Sequence, residues 1–237
     1  MNSPRKIIMP VFSALAILAL QVSSAAPDSA PRSLAPYFTP ATPDPKAPDA
    51  DGFLQRWLLL EPISEPIRSN AVFTHPYVRK ALTTEYFPDQ FTVVPHDGDK
   101  VTVGGTDYAW HALDATKFNV KLFRFAYGLD KPVYGVMFWA VTVIDCPREM
   151  RNVRLSVGSN SASMWWLNGK EAVGLFGDRR MVMDDCVSQR VTLNQGRNVI
   201  RGAVINGPGM SDFCVRFIDE NGNPVKDLTI NLENAGN

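Results

Sequence analysis

Cysteine and histidine are scarce in this sequence, with three of each among 237 residues. The cysteines are Cys146, Cys186 and Cys214, and their spacing matches no zinc-binding pattern, which argues against a cysteine-based metal site. An odd number leaves two arrangements open. Either one disulfide accompanies one buried thiol, or all three side chains are buried thiols.

The sequence also lacks an excess of charge of either sign. Lys and Arg together number 24, Asp and Glu together number 24, and there is no basic block. Nucleic acids and anionic membrane surfaces attract clustered Lys and Arg, so neither is an expected partner. Beyond the first 20 residues, no apolar stretch is long and uncharged enough to span a bilayer.

Sequence signatures of catalysis are missing as well. There is no G-x-S-x-G, and Gly158–Ser161 and Gly209–Asp212 lack the second glycine. A Ser-His-Asp triad can be assembled from distant residues, with His75, His96 or His111 as the base. A lone histidine in a loop is more often structural, so we assign no catalytic residue.

Metal-binding patterns of the H-x-H, H-E-x-x-H and C-x-x-C types do not occur, and no cofactor is indicated. Asp178, Asp184 and Asp185 are the candidates for a structural calcium site, which requires about six to eight oxygen ligands. Arg179 and Arg180 lie among them, and we favour a surface network of ion pairs over a metal site.

The N-terminus has the pattern of a secretory signal. Two basic residues precede the apolar run Ile7 to Leu20, and the small residues Ser23 to Ala26 suit cleavage. The run is shorter than the ~20 residues that a membrane-spanning helix needs. We therefore predict a signal peptide over residues 1–26, export to the periplasm or the extracellular space, and no membrane insertion after cleavage.

Two further regions follow the predicted signal. Residues 27–50 are rich in proline, with seven between Pro27 and Pro48, and we predict a disordered linker there. Residues 51–232 contain roughly ten short apolar or alternating stretches, separated by turn residues about every 8–12 positions. This pattern predicts an all-β domain, an antiparallel β-sandwich or jelly roll, with at most one short surface helix. That helix begins at Pro76 and ends before Pro88.

Several stretches define the predicted strands. Pro132 to Cys146 is apolar on both faces, which indicates a central strand. Gly104-Gly105 and Asn168-Gly169 are hairpin turns, and Asn168-Gly169 is the strongest turn signal in the chain. Phe118 to Tyr127 alternates and is interpreted as another strand.

Two adjacent tryptophans precede the Asn168-Gly169 turn. Neighbouring residues on a strand point to opposite faces, so one ring enters the core and the other faces outward. We predict that Trp165 is the outward ring, because it lies two positions before Leu167. An outward aromatic ring among Asn, Asp and Arg is typical of a sugar-binding surface, but it also fits an interface with another domain. The candidate sugar-binding residues are Trp165, Trp166, Asn160, Asn168, Arg179, Asp184, Asn206 and Asp212.

The segment Trp165 to Ala172, W-W-L-N-G-K-E-A, resembles the galactose-binding-like jelly rolls of bacterial carbohydrate enzymes. Longer blocks, Trp110 to Asp114 with Phe118 to Tyr127 and Arg201 to Cys214, make the resemblance more specific. They are similar to the sandwich module that precedes the α/β-hydrolase domain in exported bacterial acetylxylan esterases. The resemblance covers about Gly52 to Ile230.

The resemblance implies an accessory module without catalytic residues, because the hydrolase motifs are not present. Such a module is expected to bind plant polysaccharide of the xylan type, or to dock onto a polysaccharide-degrading enzyme such as a separate α/β-hydrolase. Two alternatives remain open: a carbohydrate esterase related to acetylxylan esterase, and a spacer domain without a ligand.

Overall fold

The computed structural model describes residues 32–64, 74–177 and 179–232, so the predicted signal peptide lies outside the described residues. The described residues form fourteen strands and two helices. The helices are α1 (His75–Thr83) and α2 (Leu122–Gly128). The strands are β1 (Phe38–Pro40), β2 (Arg56–Leu60), β3 (Ile63–Ser64), β4 (Lys100–Val103), β5 (Thr106–Ala115), β6 (Val136–Cys146), β7 (Met150–Asn160), β8 (Ala162–Leu167), β9 (Lys170–Leu175), β10 (Cys186–Val187), β11 (Val191–Leu193), β12 (Gly196–Asn206), β13 (Asp212–Ile218) and β14 (Thr229–Ile230).

The fold is an antiparallel β-sandwich, as predicted. A ten-stranded sheet has the order β1-β5-β2-β6-β12-β8-β9, with β3 and β14 beside β6 and β4 beside β5. A four-stranded sheet has β7 at its centre, with β10 and β11 on one side and β13 on the other. Every strand pair between the described elements is antiparallel.

The main core lies between the two sheets. It includes Trp57, Phe138 and Trp165 from the large sheet, and Val157 and Phe213 from the small sheet. Trp57, Trp165 and Phe213 contact one another edge to face, with ring centroids 4.9 to 6.0 Å apart. Such contacts add to the free energy gained by burying the rings.

The other face of the large sheet is covered by a layer that we call the outer layer, formed by α1 and residues 84–94. It buries a second apolar cluster that includes Trp139, Met164 and Trp166 of the sheet and Val78 and Leu82 of α1. Because the large sheet is covered on both faces, its central strand β6 is mainly apolar on both faces, as Pro132 to Cys146 predicts. No helix among the described residues is long and apolar enough to cross a membrane.

The proline-rich segment is ordered from Arg32 onward. Its strand β1 pairs with β5, and Lys46 forms a bridge with Ile230. Arg56 donates hydrogen bonds to Thr42 and to the carbonyl of Asp44. The prediction of a disordered linker over residues 27–50 is therefore wrong for residues 32–50, which we call the N-terminal strap. Proline is compatible with such a strap because it tolerates edge and extended positions.

The prediction of a strand over Phe118 to Tyr127 is also wrong. Val120 forms a bridge with Phe213, and the chain then turns into α2, so the described residues contain two helices rather than one. Leu122, Phe125 and Ala126 are the buried side chains of α2. Their spacing of three and four residues matches one face of a helix, and this pattern also exists in the sequence.

The predictions of the first helix and of the two hairpin turns agree well with the structure. Helix α1 begins one residue before Pro76 and ends before Pro88. Gly104-Gly105 joins β4 to β5, and Asn168-Gly169 joins β8 to β9. Asn168 has a φ of 49°, a backbone conformation in which Asn is favoured among residues with side chains.

Candidate functional site

The adjacent tryptophans point to opposite faces, but neither ring faces solvent. Trp165 is 0% exposed in the main core, so its prediction as the outward ring is wrong. Trp166 lies on the opposite face and is 8% exposed, because the outer layer covers it. Its ring stacks on Trp139 at 5.8 Å and meets Phe91 at 5.6 Å. In this arrangement neither tryptophan presents a face to a sugar.

Asn168 and Asp184 are each held by contacts of their own. Asn168 ends β8 at the opposite end from Ser161, roughly 20 Å away at the rise of an extended strand. Its side chain donates to Asn198 and accepts from the backbone N–H of Val199, which fixes the turn. Asp184 binds Arg216 and Ser156 on the outer face of the small sheet.

Four of the candidate residues lie close to Ser161, at one end of the sandwich. Asn160 precedes it and is the cross-strand partner of Asp212. The Ser161 hydroxyl donates to Asn206 at 3.2 Å, and its backbone N–H donates to the carbonyl of Arg179 at 3.4 Å. The loop after β7 thus brings together residues that are far apart in the sequence.

A cleft of about 550 Å³ opens at this end of the sandwich. One wall is the segment before β6, Pro132 to Tyr134, and the other wall follows β12, from Gly207 to Gly209. The buried Asn206 side chain donates to the carbonyls of Val133 at 2.7 Å and Gly209 at 3.2 Å. Asn206 therefore positions both walls, and its prediction as a direct sugar ligand is not supported by this geometry.

Tyr134 supplies the aromatic surface that the tryptophans do not. Its side chain is 53% exposed and lines the cleft. The ring of Phe123 on α2 supports it, with centroids 5.8 Å apart. Tyr134 is not among the predicted site residues, because the whole stretch from Pro132 was interpreted as a central strand. The sequence does contain one signal for Tyr134: the residue precedes Gly135, just before the apolar run begins.

A polar group lies beside α2, near Phe123, and is not part of the cleft lining. Asp212 accepts hydrogen bonds from Asn119 at 2.7 Å and from Lys121 at 2.8 Å, both through one carboxylate oxygen. The other oxygen, Oδ1, is buried and has no hydrogen-bond partner among the described residues. The Phe123 backbone N–H donates to the carbonyl of Ser211, which keeps α2 beside Asp212. This group combines a fixed carboxylate with amide and ammonium donors.

An ion pair holds the first wall of the cleft. Lys131, which precedes Pro132, lies 2.9 Å from Glu61 at the end of β2, and His111 lies 3.5 Å from the same carboxylate. Burial by itself raises the pKa of Glu61. The hydrogen bonds from Lys131 and the backbone of Ala109 outweigh burial, so the pKa is below its usual value. Glu61 is therefore ionised at neutral pH and keeps Lys131 in place.

The histidines have separate surroundings. His75 packs against Phe176, His96 lies 3.4 Å from Asp99, and His111 faces Glu61. Across residues 32–64, 74–177 and 179–232, no hydrogen bond joins a serine hydroxyl to a histidine ring. Esterase activity stays a hypothesis, which measurement of acetate release from acetylated xylan checks.

All three cysteines are free thiols, with Cys146 and Cys214 buried. Cys186 and Cys214 lie on strands at opposite sides of β7, opposite Val157 and Gly158. Two strand spacings, about 10 Å, separate them, which is too far for a disulfide. Burial raises the pKa of the Cys214 thiol to about 12 and that of Cys146 to about 11.

The aspartates considered for calcium form ion pairs instead, where the structure describes them. Arg179 binds Asp185, and Arg216 rather than Arg180 binds Asp184. Asp178 lies outside the described residues. No group of three or more His, Cys, Asp or Glu side chains within the described part of the chain is arranged to hold a metal ion.

No family model matches the chain, and no curated protein matches it. Similar solved structures include a PA14 sugar-binding domain from an RTX adhesin, at 8% identity and a TM-score of 0.42, covering 74% of this chain and 96% of that chain. The PA14 domain of the antifreeze protein MpAFP is similar at 9% identity and a TM-score of 0.41, covering 80% and 92%.

A β-glucosidase from Kluyveromyces marxianus is similar at 13% identity and a TM-score of 0.39, covering 68% of this chain and 17% of that chain. All these TM-scores and identities are too low to carry an argument about family or function. The resemblance to the acetylxylan esterase module therefore stays a prediction.

Proposed function

We propose that this protein is an exported carbohydrate-binding module without catalytic activity, and that the cleft beside Tyr134 is its binding site. The observation that carries the proposal is the exposed Tyr134 ring at the edge of a cleft, where it is supported by Phe123.

An aromatic ring suits the apolar face of a sugar, since this contact removes apolar surface from water. Lys121, which is partly exposed and lies two residues before Phe123, is a donor for a sugar hydroxyl, because a hydroxyl that loses water without gaining a partner costs free energy. The cleft volume lies within the usual range for small-molecule sites, roughly 300 to 1,000 Å³. Preformed walls, held by Asn206, reduce the entropy lost on binding.

Xylan is the first ligand to test, because the resemblance of the sequence implies a plant-polysaccharide setting. We expect isothermal titration calorimetry to detect binding of xylo-oligosaccharides by the protein. Replacing Tyr134 with alanine should weaken binding about tenfold or more, equivalent to about 1.4 kcal/mol, because the ring surface is lost.

Tyr127→Ala is the matched control. Tyr127 is also exposed, at 43%, but it does not line the cleft, and Arg32 contacts one face of its ring. Its replacement should leave the affinity unchanged. The proposal is overturned if neither xylan nor other polysaccharides bind, or if Tyr134→Ala binds as tightly as the unmodified protein.

A further inference from the structure

Arg201 on β12 is a buried cation without an acidic partner among the described residues. It is 3% exposed and lies on the outer-layer face of the large sheet, between its cross-strand partners Val141 and Trp166. Its guanidinium donates to the carbonyl of Val93 through Nη2. The other terminal nitrogen, Nη1, is buried and has no hydrogen-bond partner within the described residues.

Such an arrangement is costly in the absence of an anion. A buried charge is tolerated when it is paired and hydrogen-bonded, and among the described residues the guanidinium donates to the carbonyl of Val93 and has no carboxylate partner. Burial lowers the pKa of Arg201 to about 10, so the side chain still carries its positive charge at neutral pH. The site thus holds a permanent positive charge with an unused donor.

A second cleft, of about 210 Å³, reaches this arginine. Phe91 and Thr92 of the outer layer form one side, and the Asn168-Gly169 turn with Val199 forms the other. The Phe91 ring also packs against Trp166 and Trp139, which fixes that wall. Since Asn168 lies at the opposite end of β8 from Ser161, this cleft is distinct from the Tyr134 cleft.

We propose that the cleft at Arg201 binds a compact ligand that carries a carboxylate, whose negative charge pairs with the Arg201 guanidinium. A carboxylate provides the negative charge that the site lacks, and a charge-assisted hydrogen bond to arginine is stronger than a neutral one. The small volume limits the ligand to a simple carboxylate or a single uronic acid residue. A simple carboxylate and a uronic acid both present the carboxylate group that the site would recognise.

Titration of the whole protein tests the proposal, with backbone amide NMR shifts as the readout and ionic strength held constant. Sodium acetate and sodium glucuronate are the two ligands, and acetamide and glucose are their uncharged controls. We expect saturable shifts at Thr92, Asn168 and Gly169 with at least one carboxylate and not with its uncharged control. Saturation with acetate alone identifies a simple carboxylate site, and tighter saturation with glucuronate identifies a uronic acid site.

The variant Arg201→Met replaces the arginine with an unbranched apolar side chain and so removes the positive charge. It should lose at least tenfold in carboxylate affinity. Arg190→Met, at an exposed arginine that does not line this cleft, is the matched control and should bind normally.

Three results overturn the proposal: no saturable shift with either carboxylate, equal shifts with the uncharged controls, or unchanged affinity in a folded Arg201→Met protein. If that variant does not fold, the titration of the unmodified protein still decides the question. Shifts confined to other residues, or shifts that do not saturate, then count against the site.

Discussion

Gly202 is a position in the main core with no room for a side chain. It lies opposite Trp165 across β8 and β12. A Cβ atom added at Gly202 would lie 2.2 Å from the ring. The large indole fits between the sheets because its neighbour has no side chain.

We predict that Gly202→Ala destabilises the protein by about 1–3 kcal/mol, the usual cost of overpacking a core. Urea denaturation at equilibrium measures the change. Gly177→Ala is the control, since a Cβ atom there meets no other atom within 4 Å. Equal denaturation midpoints for the two variants would show that the core absorbs the extra methyl group.

At the scale of elements, the loop before β10 is fastened to the small sheet by a few polar contacts. Asp184 accepts from Arg216 and from the Ser156 hydroxyl, and Val182 lies against Gly158. Burial alone raises the pKa of Asp184, but the hydrogen bonds from Arg216 and Ser156 outweigh it and hold the pKa below its usual value. The ionised form therefore stabilises the folded state.

This contact makes stability depend on pH. Because the pKa of Asp184 is lower in the folded state, its contribution is present above the unfolded pKa of about 3.9 and is lost as pH falls through the folded value. We predict that Asp184→Asn lowers the free energy of unfolding at pH 7, and that the difference from the unmodified protein shrinks toward pH 3.

Urea denaturation at pH 7, 5 and 3 measures this difference. Asp227→Asn serves as a control, because its ion pair with Arg148 is exposed and exposed pairs contribute little. A difference for Asp184→Asn that stays constant over this pH range would contradict the prediction.

The elements also show what the sequence alone could predict. The two hairpin turns follow from local turn signals, Gly104-Gly105 and Asn168-Gly169. The central strand β6 follows from a local apolar run. Helix α2 was misinterpreted because its residues satisfy two periods, and only tertiary contact between Val120 and Phe213 decides where the strand ends. At such positions tertiary packing, and not the local sequence pattern, decides the secondary structure.

The candidate site was harder to predict than the fold. The sequence placed Asn160, Arg179, Asn206 and Asp212 among its candidates, and the structure brings these four together. No local signal marks Trp166 as covered, since the outer layer comes from residues about 80 positions earlier in the chain. Tyr134 and Phe123 meet through the packing of α2, which the sequence did not predict.

At the scale of the whole molecule, the N-terminal strap joins elements that are distant in the chain. Arg56 on β2 makes two hydrogen bonds to Asp114 on β5, at 2.8 and 3.0 Å, and Lys46 of the strap lies 3.3 Å from the same carboxylate. Arg56 also binds Thr42 and the carbonyl of Asp44. One buried ion pair therefore links the strap to the sandwich.

We predict that Asp114→Ala lowers the free energy of unfolding by about 3–5 kcal/mol, because it leaves the buried Arg56 guanidinium without its anion. Urea denaturation measures the loss. Asp107→Ala, at an exposed position of the same strand, should cost much less. The double variant Arg56→Met/Asp114→Leu should recover much of the stability, and a loss below about 1 kcal/mol in Asp114→Ala contradicts the prediction.

The paired tryptophans and Gly202 have a consequence for how the strands find their alignment during folding. A slip of β8 by one residue against β12 would exchange the two faces of the strand. Trp165 would then leave the position opposite Gly202, and Trp166 would point into the main core. In the slip that pairs Trp166 with Ile200, the indole enters the main core where no glycine leaves room for it, so Gly202 favours the native register over that mispaired intermediate.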